Sequence, residues 1–299
     1  MVSVIIPTYN RGSALEVCLS AVTALDDSDY EVIVVDDGST DGTEERVRTR
    51  FPGVRFFRLE ENQGPAAARN RGLREAAGGI LAFTDDDCVP PRDWLRRHLA
   101  HHRDPKVGAV GGLQVPDAPS FFDKVQWVHY AEEHGSLMRI ESIEAWEGLA
   151  TSNLSVKREV FERIGSFDEA FLTGSDPEFV RRACRSGYVL IRDPRLTVRH
   201  LKRNTLASYL GTRFHRGCGS ILTDLKEGSL SARRFVPLPN VARTWRDWRH
   251  FRQEFGGGVV VFWGFWGLAA AARWADVAGR TYYYWTRGRD YRGALRPGD

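Results

Sequence analysis

The sequence has little cysteine, and none of it is arranged as a metal-binding motif. The four cysteines, Cys18, Cys88, Cys184 and Cys218, are far apart, and no two form a CxxC pair. Structural zinc sites need closely spaced ligand pairs, so the sequence does not predict one. We expect four buried free thiols, the usual state of cysteine in a reducing compartment.

Several other signatures are missing as well. The chain has no internal repeat, no low-complexity tract and no Walker A loop. The loop after the first expected strand reads PTYNRG, which is not the GxGxxG of a dinucleotide-binding dehydrogenase. Because the residues from Val2 onward already have the pattern of a strand, we expect no secretory signal peptide. These absences argue against dehydrogenases and P-loop enzymes.

The formal net charge of +3 hides an uneven distribution along the chain. From Arg195 onward there are 19 basic and 7 acidic residues, whereas residues 1–194 hold 23 basic and 32 acidic residues. The acidic N-terminal part and the basic C-terminal part therefore predict separate functions. The basic part could face phosphates, nucleic acid or an anionic membrane.

Short apolar runs alternate with helical patterns over the first third of the chain. The segments between the runs have helix start signals at Ser13 and at Thr40 or Asp41. Such β-α-β alternation predicts an α/β fold with a mainly parallel, doubly wound sheet and helices on both faces. The expected strands are Val2–Pro7, Tyr30–Asp37, Val54–Glu60 and Ile80–Thr84.

Polar clusters accompany the ends of the expected strands. They read PTYNRG, DDGSTDG, ENQGPAAARN and DDDC. In open α/β sheets, ligands bind beyond the carboxyl ends of the strands. Four such clusters on one rim therefore predict a binding site.

Three aspartates, Asp85, Asp86 and Asp87, stand side by side after the fourth expected strand. Adjacent carboxylates repel one another, and partial burial makes each anion costlier. A DxD-type arrangement relieves the repulsion by holding Mg²⁺ or Mn²⁺ against a diphosphate, because carboxylate oxygens are hard ligands. Taken alone, the triplet fits a solvated acidic turn equally well, and a nucleotidyltransferase or phosphatase could use the same acids.

The order in which the motifs occur along the chain is more specific than any one of them. VSVIIPTYNRG, EVIVVDDGSTDGT, NQGPAAARNRGL and AFTDDDCVPPRDWL together resemble the family 2 glycosyltransferases, which have the GT-A fold. The similarity continues through Thr151–Phe171 and Gly174–Tyr188 and covers about Val2 to His200.

The resemblance implies a nucleotide-diphosphate-sugar donor, an Mg²⁺ or Mn²⁺ ion and inversion at the anomeric carbon. It makes Asp87 the direct metal ligand, with Asp85 and His200 nearby. It implies donor contacts from Pro7, Thr8, Tyr9, Arg11, Asp36, Asp37, Gly64, Arg69, Asp85 and Asp86.

The resemblance also implies a general base. In the family this base belongs to a Glu-Asp pair that opens a helix, and here the segment reads TGSDPEF. Asp176 matches the base, while Ser175 replaces the glutamate. The competing interpretation is that Asp176 is only an N-cap acid followed by Pro177. Candidate acceptor contacts are Trp146, Asn153 and Ser175.

The C-terminal part differs in character. We divide the chain into a GT-A domain at residues 1–225, with donor and acceptor halves at about 1–115 and 116–225, and a helical apolar and aromatic tail at residues 226–299. Within the tail, the 17 residues Gly256–Ala272 carry no charge and have arginine and aromatic residues on both sides. This pattern favours an interfacial or re-entrant membrane anchor. A single span, a packed helical hairpin and a dimer interface are the alternatives. We do not expect nucleic-acid binding by the basic stretch, because no nucleic-acid fold motif accompanies it.

The expected function is thus an inverting, metal-dependent hexosyl- or deoxyhexosyltransferase. It would move a sugar from a nucleotide-diphosphate sugar, taken as the UDP type, to a sugar, lipid-linked or other hydroxyl acceptor in glycoconjugate synthesis. We expect it at the cytoplasmic face of a membrane. A catalytically weak nucleotide-binding relative is the alternative, as is a nucleotidyltransferase or phosphatase that uses the acid triplet.

Overall fold

The computed structural model describes residues 1–117, 119–125, 138–140, 149–171, 173–201, 204–229, 235 and 241–286. The chain divides into two compact units. The first comprises Met1–Ala118 and Glu133–Lys202, and the second comprises Pro119–Glu132 and Arg203–Asp299. The domain boundary expected from the sequence, between residues 225 and 226, lies within the second of these units.

The first unit is built on one mixed sheet. Its order is β3-β2-β1-β4-β8-β6-β9-β5, with β7 paired to β9. The four strands from β3 to β4 are parallel, whereas β8 is antiparallel to both β4 and β6. The strands are β1 Val2–Thr8, β2 Tyr30–Asp36, β3 Arg55–Arg58, β4 Ile80–Thr84, β5 Cys88–Val89, β6 Val107–Pro116, β7 Met138–Ile140, β8 Asn153–Lys157 and β9 Val189–His200.

Helices cover both faces of this sheet. Along β1, Val4 and Ile6 pack in the cluster that contains Leu15 and Leu19, whereas Ile5 packs with Ala68 in the opposite cluster. This alternation follows from the two-residue period of a strand. The helices of the unit are α1 Gly12–Val22, α2 Thr43–Arg50, α3 Pro65–Glu75, α4 Trp94–His102, α5 Arg158–Ile164 and α6 Ser175–Arg185.

The predicted caps of α1 and α2 are wrong in detail. Each helix begins one or more residues away from the expected cap, after Arg11 and after Gly42, and neither of these N-cap residues makes a side-chain cap bond. The Asp41 carboxylate instead accepts hydrogen bonds from the backbone N–H groups of Gly12 at 3.0 Å and Thr43 at 3.2 Å. One acid therefore serves the first turns of both helices.

Among its described residues, the second unit contains the helical residues 121–125 and three longer helices: α7 Leu206–Lys226, α8 Val241–Phe255 and α9 Val259–Thr286. Glycines allow α7 and α9 to approach closely, because a Cβ atom at Gly217 would overlap the backbone oxygen of Asp276. Trp248, Phe251 and Phe265 form the centre of its apolar core. Within the part of the chain that the structure describes, no helix has the length and apolarity needed to cross a bilayer.

Gly112 in β6 provides a test of the sheet packing. A Cβ atom there would overlap the backbone oxygen of Leu196 and lie 2.5 Å from Asn153 Nδ2. We predict that Gly112→Ala lowers the free energy of unfolding by about 1–3 kcal/mol, since an overpacked sheet must shift its backbone. Gly53→Ala is the control, because a Cβ atom at Gly53 meets nothing within 4 Å. Urea denaturation measures both, and equal stability of the two variants would contradict this packing.

Candidate functional site

The ends of β1 and β4 form the centre of the candidate site. The two strands are parallel neighbours, with Val4 opposite Ala82, so both end at the same edge of the sheet. Pro7 and Thr8 are buried at the end of β1, and Tyr9 on the following loop is 45% exposed. The structure therefore places the PTYNRG loop at the rim.

Asn10 joins this loop to the DDGST loop after β2. Its backbone N–H donates to Ser39 Oγ at 2.7 Å, and its Oδ1 accepts from the N–H of Thr40 at 2.8 Å. Asn10 also has a φ of 51°, a left-handed conformation that asparagine tolerates better than most residues. Sequence reasoning missed this role, although an asparagine directly before Arg11 in a tight loop was the available signal.

Asp37 fixes the loop that leads into α3. Its carboxylate accepts hydrogen bonds from the N–H groups of Gln63 and Gly64, both at 2.8 Å. Burial raises the pKa of Asp37, and these two hydrogen bonds oppose that rise. The neighbouring Asp36 accepts from the N–H of Ser39 at 3.0 Å. Both aspartates lie at the rim as expected, and recognition of a nucleotide base by Asp37 stays a prediction.

Asp86 is the most buried acid of the triplet, with 4% of its surface exposed. Its carboxylate accepts from Thr8 Oγ1 at 2.8 Å and from Arg11 Nη1 at 3.1 Å. Burial raises the pKa of Asp86 to about 6; Arg11 and Thr8 counteract this rise, while Asp85 and Asp87 add to it. The acids are therefore electrostatically coupled, as expected from their spacing.

Arg11 also contacts Asp87, through Nη1 to Oδ2 at 2.8 Å. On its other side, Asp87 Oδ1 lies 3.4 Å from His200 Nε2. Among the described residues, the ligand atoms of Asp87, Cys88 and His200 lie within 4.8 Å of one another, which is a spacing suited to a metal ion. The structure thus brings together two of the expected metal ligands, Asp87 and His200, and adds a sulfur that the sequence analysis did not assign.

Asp85 has a different partner. Its Oδ1 lies 2.8 Å from Nη2 of Arg69, a buried side chain of α3. Asp85 is not in the group of candidate metal ligands among the described residues, so its expected contact with a metal remains a prediction.

Arg69, the partner of Asp85, also acts electrostatically on Asp176. Burial raises the pKa of Asp176, and the positive charge of Arg69 opposes this rise, while Asp85 adds to it. Asp176 Oδ2 also accepts a hydrogen bond from the backbone N–H of Thr151 at 3.3 Å. The positive charge of Arg69 therefore stabilises the charged forms of two carboxylates, Asp85 and Asp176, that are distant in sequence.

Asp176 lies in the first turn of α6, which begins at Ser175. The N-cap residue is Gly174, whose φ of 87° is in the left-handed region, and no side chain caps the helix. Asp176 is therefore a first-turn residue rather than the N-cap residue, and its role as a base stays a prediction. Ser175 is buried and contributes no carboxylate beside Asp176.

The acceptor candidates fare differently. Asn153 is fully buried. Its Oδ1 accepts from Trp94 Nε1 at 2.8 Å, and its Nδ2 donates to the backbone oxygens of Leu196 at 2.8 Å and Leu113 at 3.2 Å. These bonds serve the packing of the sheet, so the geometry gives no support to an acceptor contact. Trp146 lies outside the described residues.

Comparison with protein families identifies the chain. Residues 3–165 match the family model described as glycosyl transferase family 2. The chain belongs to glycosyl transferase family 2. The resemblance seen in the sequence motifs is confirmed.

Curated relatives of this family 2 member include two proteins of Haloferax volcanii. Glycosyltransferase AglE is 36% identical over 197 residues, which cover 63% of this chain and 63% of that protein. The glucosyl-dolichyl phosphate glucuronosyltransferase is 30% identical over 178 residues, which cover 56% of each chain. The matched part therefore spans less than two thirds of either relative.

Solved structures of glycosyltransferases have the same fold. A mannosyltransferase from Pyrobaculum calidifontis, in complex with GDP-Man and Mn²⁺, has a TM-score of 0.67 at 24% identity, covering 96% of this chain and 87% of the other. TarS of S. aureus in complex with UDP-GlcNAc has a TM-score of 0.57 at 17% identity, covering 99% and 93%. The expected GT-A fold is confirmed for this family 2 chain.

Arg11 occupies both Asp86 and Asp87, and this predicts competition with a cation. In an Arg11→Met variant, Mn²⁺ alone should bind about fivefold more tightly, because the half-exposed guanidinium no longer competes for the carboxylates, an interaction of roughly 1 kcal/mol. Binding of a nucleoside diphosphate should weaken, because a positive charge at the rim is lost.

Isothermal titration calorimetry measures both affinities. Arg46→Met is the matched control, because the Arg46 side chain is 48% exposed against 45% for Arg11 and pairs with Glu16, away from the triplet. Unchanged Mn²⁺ affinity in Arg11→Met would contradict the competition.

Proposed function

We propose that this chain is an inverting, metal-dependent glycosyltransferase. It takes a sugar from a nucleotide-diphosphate donor, of the UDP type, and transfers it to an acceptor hydroxyl in the synthesis of a cell-surface polysaccharide, glycolipid or other glycoconjugate. The observation that carries this proposal is that Asp87 Oδ1 and His200 Nε2 lie 3.4 Å apart at the rim. Arg69, which pairs with Asp85 of the same triplet, lies close enough to Asp176 to favour its charged form.

The donor end suits a diphosphate with a divalent cation. Asp87 and His200 offer a carboxylate oxygen and an imidazole nitrogen within reach of one ion. The carboxylate suits Mn²⁺ or Mg²⁺, and the imidazole favours Mn²⁺ of the two. When bound there, the ion supplies positive charge against the diphosphate leaving group. Arg11, whose side chain is 45% exposed, adds a second cation beside the same position.

The acceptor end needs one general base. A single inverting displacement requires that the attacking hydroxyl lose its proton as it reaches the anomeric carbon. Asp176 accepts that proton in our proposal. Burial raises its pKa toward the working pH, which suits a base, while Arg69 and the helix N-terminus favour its charged form.

The relatives indicate which donors and acceptors deserve a first test. The P. calidifontis structure contains GDP-Man, and the TarS structure contains UDP-GlcNAc. One relative acts, by its name, on a glucosyl-dolichyl phosphate. We therefore propose a lipid-linked hydroxyl as the first acceptor class and both UDP- and GDP-sugars as donors for the screen.

Ser175 keeps one alternative in view. Where the resemblance implies a glutamate next to the base, this chain has a buried serine. A nucleotide-binding relative with little transfer activity would have the same donor end and would differ only in turnover.

Replacement of Asp176 separates these two functions. Asp176→Asn should bind donor and metal with unchanged affinity but transfer sugar about 10²–10⁴-fold more slowly, because the amide cannot take the proton. EDTA should abolish transfer by the wild type. The readout is nucleoside diphosphate release together with product mass.

Glu178→Gln is the control on the same helix, since Glu178 pairs with Arg182 at 2.6 Å. Wild-type transfer by Asp176→Asn would refute the base assignment. Donor binding without turnover by the wild type, with every acceptor, would favour the nucleotide-binding alternative.

We also propose that the second unit binds an anionic lipid surface. All exposed positions of α9 are uncharged, and they recur every three or four residues along the helix. They include Val260 at 86%, Trp263 at 67% and Trp274 at 64% exposure, followed by Tyr282 and Trp285. We call this row the α9 stripe. An apolar row of this length on a surface helix indicates a partner.

Charge selects the partner. Arg246, Arg249 and Arg252 on α8 are exposed, and α8 packs against α9 through Trp245 and Phe262. Tryptophan favours the headgroup layer, and each nearby arginine contributes about 1 kcal/mol with anionic lipid. The pairing of exposed tryptophans with arginines therefore favours a lipid surface.

Vesicle co-sedimentation tests this proposal. The full chain should bind vesicles of phosphatidylcholine with phosphatidylserine more tightly than pure phosphatidylcholine, and Trp263→Ser/Trp274→Ser should weaken binding about tenfold or more. Val17→Ser is the control, because Val17 is 45% exposed in the first unit. The proposal of a lipid partner would be contradicted if the wild type bound no vesicles and instead formed a dimer that the double variant does not form.

A further inference from the structure

We propose that the rim also binds a thiophilic divalent cation, Zn²⁺ or Cd²⁺, through Asp87, Cys88 and His200 together. Binding itself needs only these three side chains. Its consequence, displacement of the Mn²⁺ or Mg²⁺ used for transfer, rests on the proposed function.

The register of the sheet carries the geometry. Cys88 in β5 is the direct antiparallel partner of His200 in β9. Directly opposed residues project from the same face with Cβ atoms about 4.5–5.5 Å apart. The backbone fixes Asp87 as well, because its carbonyl accepts from the N–H of Leu201 at 2.8 Å. The ligand atoms of Asp87, Cys88 and His200 accordingly lie within 4.8 Å of one another.

The three donors form a set that selects for soft metals. Sulfur, imidazole nitrogen and carboxylate oxygen are the ligands of zinc sites, and three protein ligands leave one tetrahedral position open. A hard cation gains little from the thiol, whereas Zn²⁺ and Cd²⁺ prefer thiolate. On coordination the S–H bond breaks, the sulfur binds the metal and the proton passes to solvent.

The Cys88 thiol makes a weak hydrogen bond, and burial together with the charges of Asp85 and Asp87 raises its pKa, so a metal ion has to displace its proton. Within the described structure, the hydrogen-bond partner of Cys88 Sγ is the amide of Gln114 at 3.9 Å, a weak contact. Cys88 is fully buried, while the His200 side chain is 21% exposed and gives access from solvent. A cation would therefore arrive from the histidine side and find a sulfur shielded from water.

Cadmium titration of the full chain tests the proposal. The wild type should show the ultraviolet charge-transfer band of a cadmium–thiolate bond at one equivalent of Cd²⁺. Zn²⁺ should release bound Mn²⁺, seen as the return of the electron paramagnetic resonance signal of free Mn²⁺. In Cys88→Ser the band should vanish, and the affinity for Zn²⁺ should fall about tenfold or more.

Cys184→Ser is the matched control, since Cys184 is a buried thiol in the first unit that does not belong to the three-ligand group. It should keep the band. Cys88→Ala serves as a second variant if thermal unfolding shows that Cys88→Ser does not fold.

The outcomes separate this inference from the proposed function. A band that persists in both Cys88 variants, or that disappears instead in Cys18→Ser, would overturn the inference. Wild-type protein that shows the band but transfers no sugar with Mn²⁺ would leave it standing and refute the transferase proposal. Sugar transfer with Mn²⁺ in the absence of a cadmium–thiolate band would refute this inference and leave the transferase proposal standing.

Discussion

Crowding of three carboxylates at the end of β4 is the constraint on which the rest of the site depends. Asp85–Asp87 occupy consecutive positions, and Asp86 and Asp87 are buried. Ionised groups so close together and partly removed from water each make the others less favourable. Their compensation therefore has to come from neighbouring elements, and the fold supplies it from several directions.

Each acid receives a different partner. Arg69 from α3 pairs with Asp85, Thr8 from β1 donates to Asp86, and Arg11 bridges toward Asp87. These partners come from α3, from β1 and from the loop that follows β1, so the acids can be accommodated only when the strand ends converge. The same convergence creates a rim with fixed positive groups beside the acids. In the function that we propose, the contacts that stabilise the fold at this point also hold the donor.

Much of this arrangement could be predicted from the sequence, because its determinants are local. Ile80–Thr84 is a strand with the predicted ends, since apolar periodicity and the polar residues that follow mark both boundaries. Thr8 and Arg11 lie at the rim because parallel strands end at one edge. The helix caps were less predictable: Asp41 serves α1 from a separate loop, a contact that no local pattern encodes.

The remaining features depend on long-range register. Cys88 lies opposite His200, a pairing of residues distant in sequence that composition and spacing do not reveal. The electrostatic effect of Arg69, the partner of Asp85, on Asp176 likewise requires α3 and α6 to pack on one side of the sheet. Asn153 is a case in which the long-range pairing argues against the sequence-based expectation. The sequence made it a candidate for the acceptor pocket, whereas the antiparallel pairing of β8 buries it among backbone carbonyls.

The central claim is that the acid triplet and its partners bind a nucleoside diphosphate together with a divalent cation. Calorimetric titration of UDP and GDP into the full chain, with Mn²⁺ and with EDTA, tests it most directly. The account predicts that at least one of the two nucleotides binds with Mn²⁺, that binding is lost in EDTA, and that Asp87→Asn abolishes the metal-dependent part. Binding of equal strength with and without Mn²⁺, or no binding of either nucleotide, would contradict it.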